Sequence, residues 1–280
     1  MAIDVQSPAA AAAPRKPHRL PGFRERGTAR KRRSVAPLRG LLPLIALLVI
    51  WELIGLAHQA VFFPPPSQWA TQTASLASSG LFAGVRQTLV TFVLSLVIAT
   101  AIGILLGILV GRNDLLDKLL SPTLEFFRFL PGVALVPLAV LFWGYSQSME
   151  LYVVVFGAIW PVLLQVRLAA RQIDPILMDV RRTLQLSRFD AFRKIVLPAI
   201  APGAMLGIMI TAPLTLVLAL VVEISTQVSG IGKLLETAQQ SFLSAQVFGL
   251  IVIVGVIALV INVLLSLIEG WLFRYRPSAD

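Results

Sequence analysis

Cysteine is absent from the chain, and histidine occurs only at His18 and His58. The first absence excludes disulfide frameworks, thiolate metal sites and cysteine nucleophiles, and the second excludes a polyhistidine metal centre. Charge is scarce too. Asp, Glu, Lys and Arg make up 14% of the 280 residues, where a water-soluble domain is nearer about a quarter. Hydrophobic residues make up 57% and the mean hydropathy is +0.83. Polar groups are therefore too few to coat a compact globule, and the solvent for much of the surface is a lipid bilayer.

The charge that is present is unevenly placed. Residues 1–40 hold ten Lys or Arg against the acids Asp4 and Glu25, and include the run Ala9 to Ala13. With no helical or strand period, this stretch reads as a disordered basic cytoplasmic tail. Its basicity fits nucleic acid or anionic lipid headgroups, and its place just before an apolar run favours the headgroups. It is also far too long for the leader of a signal peptide.

A bilayer core about 30 Å thick takes roughly 20 apolar helical residues to cross. Six stretches come near this: about 41–57, 85–110, 121–144, 151–168, 199–222 and 247–273. Their length excludes barrel strands, so the expected fold is an all-α membrane protein of about six transmembrane helices, spanning 41–275, with a short cytoplasmic tail at 276–280. With the N-terminus inside, twenty-one Lys and Arg fall on cytoplasmic segments, and only Arg86 and Lys233 fall outside. The positive-inside rule then places both termini in the cytoplasm.

Within the second stretch Ser95, Ala99, Gly103, Gly107 and Gly111 recur every fourth residue, a stripe that lets a neighbouring helix approach closely. The third contains Pro131 and Pro137, which must kink or break it. Between the fourth and fifth lies a charged segment, about 171–198, with apolar residues at near-helical spacing on either side of Ser187. Two short amphipathic helices joined by a turn are predicted there.

This segment carries a resemblance. Asp179-Val180-Arg181-Arg182-Thr183-Leu184-Gln185-Leu186-Ser187, continuing to Ile195-Val196-Leu197-Pro198, is similar to the cytoplasmic signature of ABC-importer permeases. In that signature Glu-Ala-Ala is followed at fixed offsets by Gly and then by an apolar residue and Leu-Pro. Trp51-Glu52, Phe63-Pro64-Pro65-Pro66-Ser67, Phe127 to Pro131, Phe142-Trp143-Gly144, Trp160-Pro161 and Gly230-Ile231-Gly232 extend the resemblance over roughly 41–275, toward the nitrate, sulfonate and taurine branch. Two positions depart from the pattern. Gln185 stands where a glycine would take a left-handed turn most cheaply, and Arg181 stands where a small residue is usual.

The resemblance implies a permease subunit of a bacterial cytoplasmic (inner) membrane, importing a small oxyanion such as an aliphatic sulfonate, taurine or nitrate. Related branches carry bicarbonate or heterocyclic vitamin precursors. It implies a second permease copy, in all a homodimer, two ABC ATPase subunits at the cytoplasmic loop, an external substrate-binding protein, and no nucleic acid. ATP and Mg belong to the ATPase; this chain is expected to bind no cofactor and no metal and to catalyse nothing. Its only Gly-Lys pair, Gly232-Lys233, lacks the Walker pattern. The ATPase-coupling residues implied are Asp179, Arg181, Arg182, Gln185, Ser187, Arg188, Leu197 and Pro198.

An anion crossing a low-dielectric pathway needs donors but not a trap. Arg128, Pro131, Gly132, Leu135, Thr211 and Thr215 are the pathway candidates, with Gln165 and Ser225 as uncharged donors near opposite ends. The alternative for the threonines is a bond back to their own helix. An ion-coupled secondary transporter is the more distant reading. It would need intramembrane acids, whereas Glu52, Glu223 and Glu269 read as interfacial or ion-paired.

Overall fold

The computed structural model describes residues 38–58, 62–78 and 80–274. Most of the basic tail and residues 276–280 lie outside them. Contacts divide the chain into residues 1–45 and 46–280. In the first unit, residues 38–45 are helical and open helix α1 (Leu38–His58).

Every regular element among the described residues of the second unit is helical. After α1 come α2 (Pro66–Ala74), α3 (Leu81–Gly111), α4 (Asp114–Phe129), α5 (Val136–Trp143), α6 (Gln147–Arg171), α7 (Pro175–Thr183), α8 (Arg188–Ala191), α9 (Leu197–Thr226), α10 (Ile231–Gln240) and α11 (Ser244–Leu272). Four described helical segments are long and apolar enough to cross a membrane: α3, α6, α8 continued into α9, and α11. The count is five if α4 and the 132–143 segment are taken as one bent span. The apolar part of α1, Leu42–His58, is shorter than these.

The third apolar stretch is therefore not one straight helix. Its two halves meet at 85°, and the sequence accounts for the break. Pro131 has no N–H to give, Leu130 before it is extended, and a short 3₁₀ turn at Gly132–Leu135 restarts the chain into α5.

The core is a sandwich of α3, α6 and α9. Lipid tails are as apolar as leucine, so close van der Waals contact holds such helices together rather than escape from water. The small-residue stripe on α3 is buried against α6. A Cβ on Gly103 would lie 2.9 Å from Val162, on Gly107 2.8 Å from the Leu163 carbonyl, and on Gly111 2.6 Å from the Arg167 carbonyl. On the other side of α6, Gly203 and Gly207 of α9 come equally close, with 2.6 Å to Ala169 Cβ and 2.8 Å to Val162 Cα. Outside the sandwich, Trp51, Trp69 and Phe248 pack ring against ring at 5.2 Å, joining α1, α2 and α11.

Candidate functional site

Two clusters of polar residues stand at opposite ends of the α3–α6–α9 sandwich. At the arginine-rich end, Asp117 of α4 is buried and accepts from two arginines of α6. Arg167 Nε lies 2.5 Å from one carboxylate oxygen, and Arg171 bonds the other. Arg167 also donates to Ser121 Oγ at 2.5 Å, and Asp114 stands 4.0 Å from Arg171. The carboxylate is thus held by opposite charge and by hydrogen bonds together, the arrangement that offsets its desolvation. In the sequence Arg167 and Arg171 count among the cytoplasmic cations, and Asp117 carries no signal of its partnership with them. Its place one turn into an amphipathic helix is all that marks it.

Beyond this clamp lies the charged loop. The predicted pair of short helices is present as α7 and α8, with α8 running through a turn of π-helix at Phe192–Val196 into α9. The turn between them ends α7 by a paired closure: Gln185 N–H donates to the Arg182 carbonyl at 3.2 Å, and Leu186 N–H to the Arg181 carbonyl at 3.1 Å. This closure requires a left-handed residue, and Gln185 fills it at φ 48°. Ser187 then caps α8, accepting from Asp190 N–H at 3.1 Å and donating to Asp190 Oδ2 at 2.7 Å.

Asp179 pairs with Arg182 at 3.4 Å on the exposed face. Arg181 and Arg188 enter no ion pair among the described residues. With Arg112 they line a cleft of about 340 Å³ floored by Ala191, Phe192 and Val196. Leu197 and Pro198 open α9 with exposed side chains.

The pathway candidates are not gathered in one place. Arg128 is exposed on α4, its guanidinium 4.7 Å from the Phe129 ring centre. Gly132 is buried at the break, where a Cβ would lie 3.1 Å from Gly157 of α6, and Leu135 is half-buried. Thr211 and Thr215 are fully buried within the sandwich, and Thr215 donates to the Thr211 carbonyl at 2.8 Å. Ser225 likewise bonds back to Val221 at 2.7 Å, while Gln165 lines a cleft with Gln172 and Asp174.

At the opposite end, Glu223 enters no ion pair among the described residues, which corrects the ion-paired alternative. Its side chain is 0% exposed. The carboxylate accepts from Thr88 Oγ at 2.7 and 3.0 Å and from Gly232 N–H at 2.7 Å, and Thr88 Oγ accepts Ile231 N–H at 2.9 Å. The glycines of Gly230-Ile231-Gly232 make this approach possible. A Cβ on Gly232 would stand 2.5 Å from Glu223 Cβ and 2.6 Å from the Leu220 carbonyl, and one on Gly230 would strike the carboxylate itself. Glu150, in the first turn of α6, is buried beside it. Glu52 is spent locally, accepting Ser67 N–H at 3.0 Å at the start of α2.

A bundle of four long apolar helices, or five with the bent pair, places the chain in the class of all-α multi-span membrane proteins. The family follows from comparison. The model of the binding-protein-dependent transport system inner membrane component matches residues 99–275, more than half of the chain, and the chain belongs to that family.

Among its relatives, the putative aliphatic sulfonates transport permease protein SsuC of Bacillus subtilis is 27% identical over 87% of this chain and 89% of its own length. The bicarbonate transport system permease protein CmpB of Synechococcus elongatus is 28% identical, covering 85% of this chain and 89% of its own. The nitrate import permease protein NrtB of Leptolyngbya laminosa is 28% identical, covering 82% and 85%. The fold is similar to a chain of the MetNI methionine ABC transporter in inward-facing form, with a TM-score of 0.59 and 19% identity over 71% of this chain and 96% of that one.

Proposed function

We propose that this chain is the membrane-spanning permease subunit of an ATP-driven importer for a small oxyanion, a sulfonate or nitrate first. The observation that carries the reading is family membership over residues 99–275, joined to relatives named for sulfonate and nitrate transport that align over nearly their whole length. Bicarbonate is the second reading, because relatives named for it are as similar. ATP hydrolysis belongs to a partner subunit.

In this reading α1 and the bent pair complete six spans with both termini in the cytoplasm, which the twenty-one to two distribution of cations supports. Two copies form the pathway, an external binding protein delivers the solute, and the 171–198 loop receives the ATPase. The cleft of Arg112, Arg181 and Arg188 suits an acidic side chain of that partner. The break at Pro131 to Leu135 leaves backbone groups outside a helical ladder and supplies donors to a passing anion, with Arg128 near its approach. Thr211 and Thr215 are packed away in this conformation and reach solute only if the sandwich opens.

Uptake of labelled sulfonate, nitrate and bicarbonate into proteoliposomes holding the complete transporter tests the reading. ATP-dependent uptake of one of them is expected, and uptake of none under any nucleotide condition rejects it. Charge reversal at Asp179 or Arg188 should lower uptake and coupled ATP hydrolysis together without lowering the permease level. Full activity in both would make the loop a solvated face only.

A further inference from the structure

Glu150 and Glu223 lie side by side, and each is 0% exposed. Glu223 accepts from two donors, the Thr88 hydroxyl and the Gly232 N–H, as an ionised carboxylate would. Glu150 receives none of good geometry, with Thr91 and Glu223 the polar side chains within reach. Both of its oxygens are buried.

The surroundings supply no positive charge. From α3 the pair meets Thr88 and Thr91, and the nearest cation on that helix, Arg86, points to the exterior. From α10 it meets the Ile231 and Gly232 amides, while Lys233 is exposed and Glu236 half-buried. α5 contributes apolar side chains alone, Val136, Ala139 and Val140, to the cluster with Met149, Val153 and Val222. Among the described residues no Lys, Arg or His pairs with either acid. Two neighbouring anions without a counter-charge cannot both persist in such a site: each costs several kcal/mol to desolvate, and they repel one another.

We propose that Glu150 and Glu223 hold one proton between them, Glu150 as the neutral acid and Glu223 as the carboxylate, and that this proton latches the start of α6 to α9 and to the 230–232 turn. The neutral acid supplies the O–H that its unpartnered oxygens lack, directed to Glu223 or to Thr91. Loss of the proton to water leaves two anions in contact, and their repulsion bears on the first turn of α6. It follows the left-handed Gly144, at φ 62°, which ends the bent segment, so displacement there moves the break at Pro131. If both termini are cytoplasmic, as proposed above, the latch faces the external side and responds to external pH.

The test uses the full chain in nanodiscs and does not depend on transport, so its failure is distinct from failure of the permease reading. Infrared difference spectra at neutral pH should show the C=O stretch of a buried protonated carboxyl, lost in Glu150→Gln and kept in Glu223→Gln. The native chain holds a proton that the unfolded chain releases, so stability falls as pH rises. The thermal midpoint of wild type should therefore shift downward between about pH 6 and about pH 9, the range in which buried glutamates titrate, and that shift should vanish in Glu150→Gln. Absence of the carboxyl band in wild type overturns the proposal even if neither variant folds. An unchanged pH shift in Glu150→Gln overturns it too. Saturable stabilisation by sodium or potassium without the band replaces the proton with a metal cation.

Discussion

Asp117 and the pair Glu150 and Glu223 are acids buried at opposite ends of the same three-helix sandwich, stabilised in different ways. Asp117 is met by two guanidinium groups, one 17% and the other 45% exposed, so its charge is balanced where it stands and water reaches the edge of the cluster. At the other end the donors are a hydroxyl and an amide, and the second carboxyl has no donor of good geometry. A charge balanced by a fixed opposite charge ties two helices together under all conditions. One balanced by a mobile proton ties them conditionally. Under the proposed permease reading, the first suits a joint beside the loop on α7 and α8 and the second an end that opens.

The contrast is sharpest in isosteric substitutions. Asp117→Asn removes the charge that two arginines share. Breaking a buried pair costs about 3–5 kcal/mol, and the exposure of Arg171 places this one near about 3 kcal/mol after solvent screening. A large drop in thermal midpoint and in membrane level is expected, whereas Glu150→Gln at neutral pH should leave both near wild type. Equal losses in the two variants would erase the distinction between the ends.

Gly232→Ala probes the fit of the turn around Glu223. The added methyl meets Glu223 Cβ and the Leu220 carbonyl, neither of which is a flexible end, so overpacking of about 2 kcal/mol is expected. Gly255→Ala, inside α11 with nothing within 4 Å, is the matched control and should be neutral or slightly stabilising. Thr88→Val comes next. It deprives Glu223 of a donor and the Ile231 amide of its acceptor while keeping the shape, for about 1.5 kcal/mol. Faster hydrogen exchange at the Ile231 amide would report the loss, and unaltered exchange there would mean that Thr88 does not hold the turn.

Much of this was legible in the sequence. Apolar runs marked α3, α6, α9 and α11 because length and composition alone decide what can cross a bilayer, and the four-residue period of small side chains marked the face of α3 that α6 meets. Pro131 marked the break, though not its 85° angle or the close seating of Gly132 against Gly157. The acids were not legible. Glu150 occupies the first turn of a helix, where an acid usually complements the dipole in solvent, so nothing local sets it apart. Glu223 meets Thr88 across 135 residues and Asp117 meets Arg167 across 50, separations that no periodicity reports.

The smallest effect is expected at Gln185, where both stability and coupling can be read. Its φ of 48° is left-handed, as are those of Gln227 and Phe242, and the two bonds that close α7 depend on it. An L-residue pays about 1 kcal/mol for that conformation. Glycine does not, but its freer unfolded chain gives back roughly half of the difference. Gln185→Gly should therefore stabilise the loop by about 0.5 kcal/mol, seen as slower proteolysis between α7 and α8. Gln227→Gly at the end of α9 is the control for the backbone effect alone. If Gln185→Gly slows proteolysis as the control predicts yet lowers coupled ATP hydrolysis, the exposed glutamine side chain touches the ATPase and the departure from the family's glycine is a contact rather than a tolerated strain. If it speeds proteolysis, the turn is held by something other than its backbone closure.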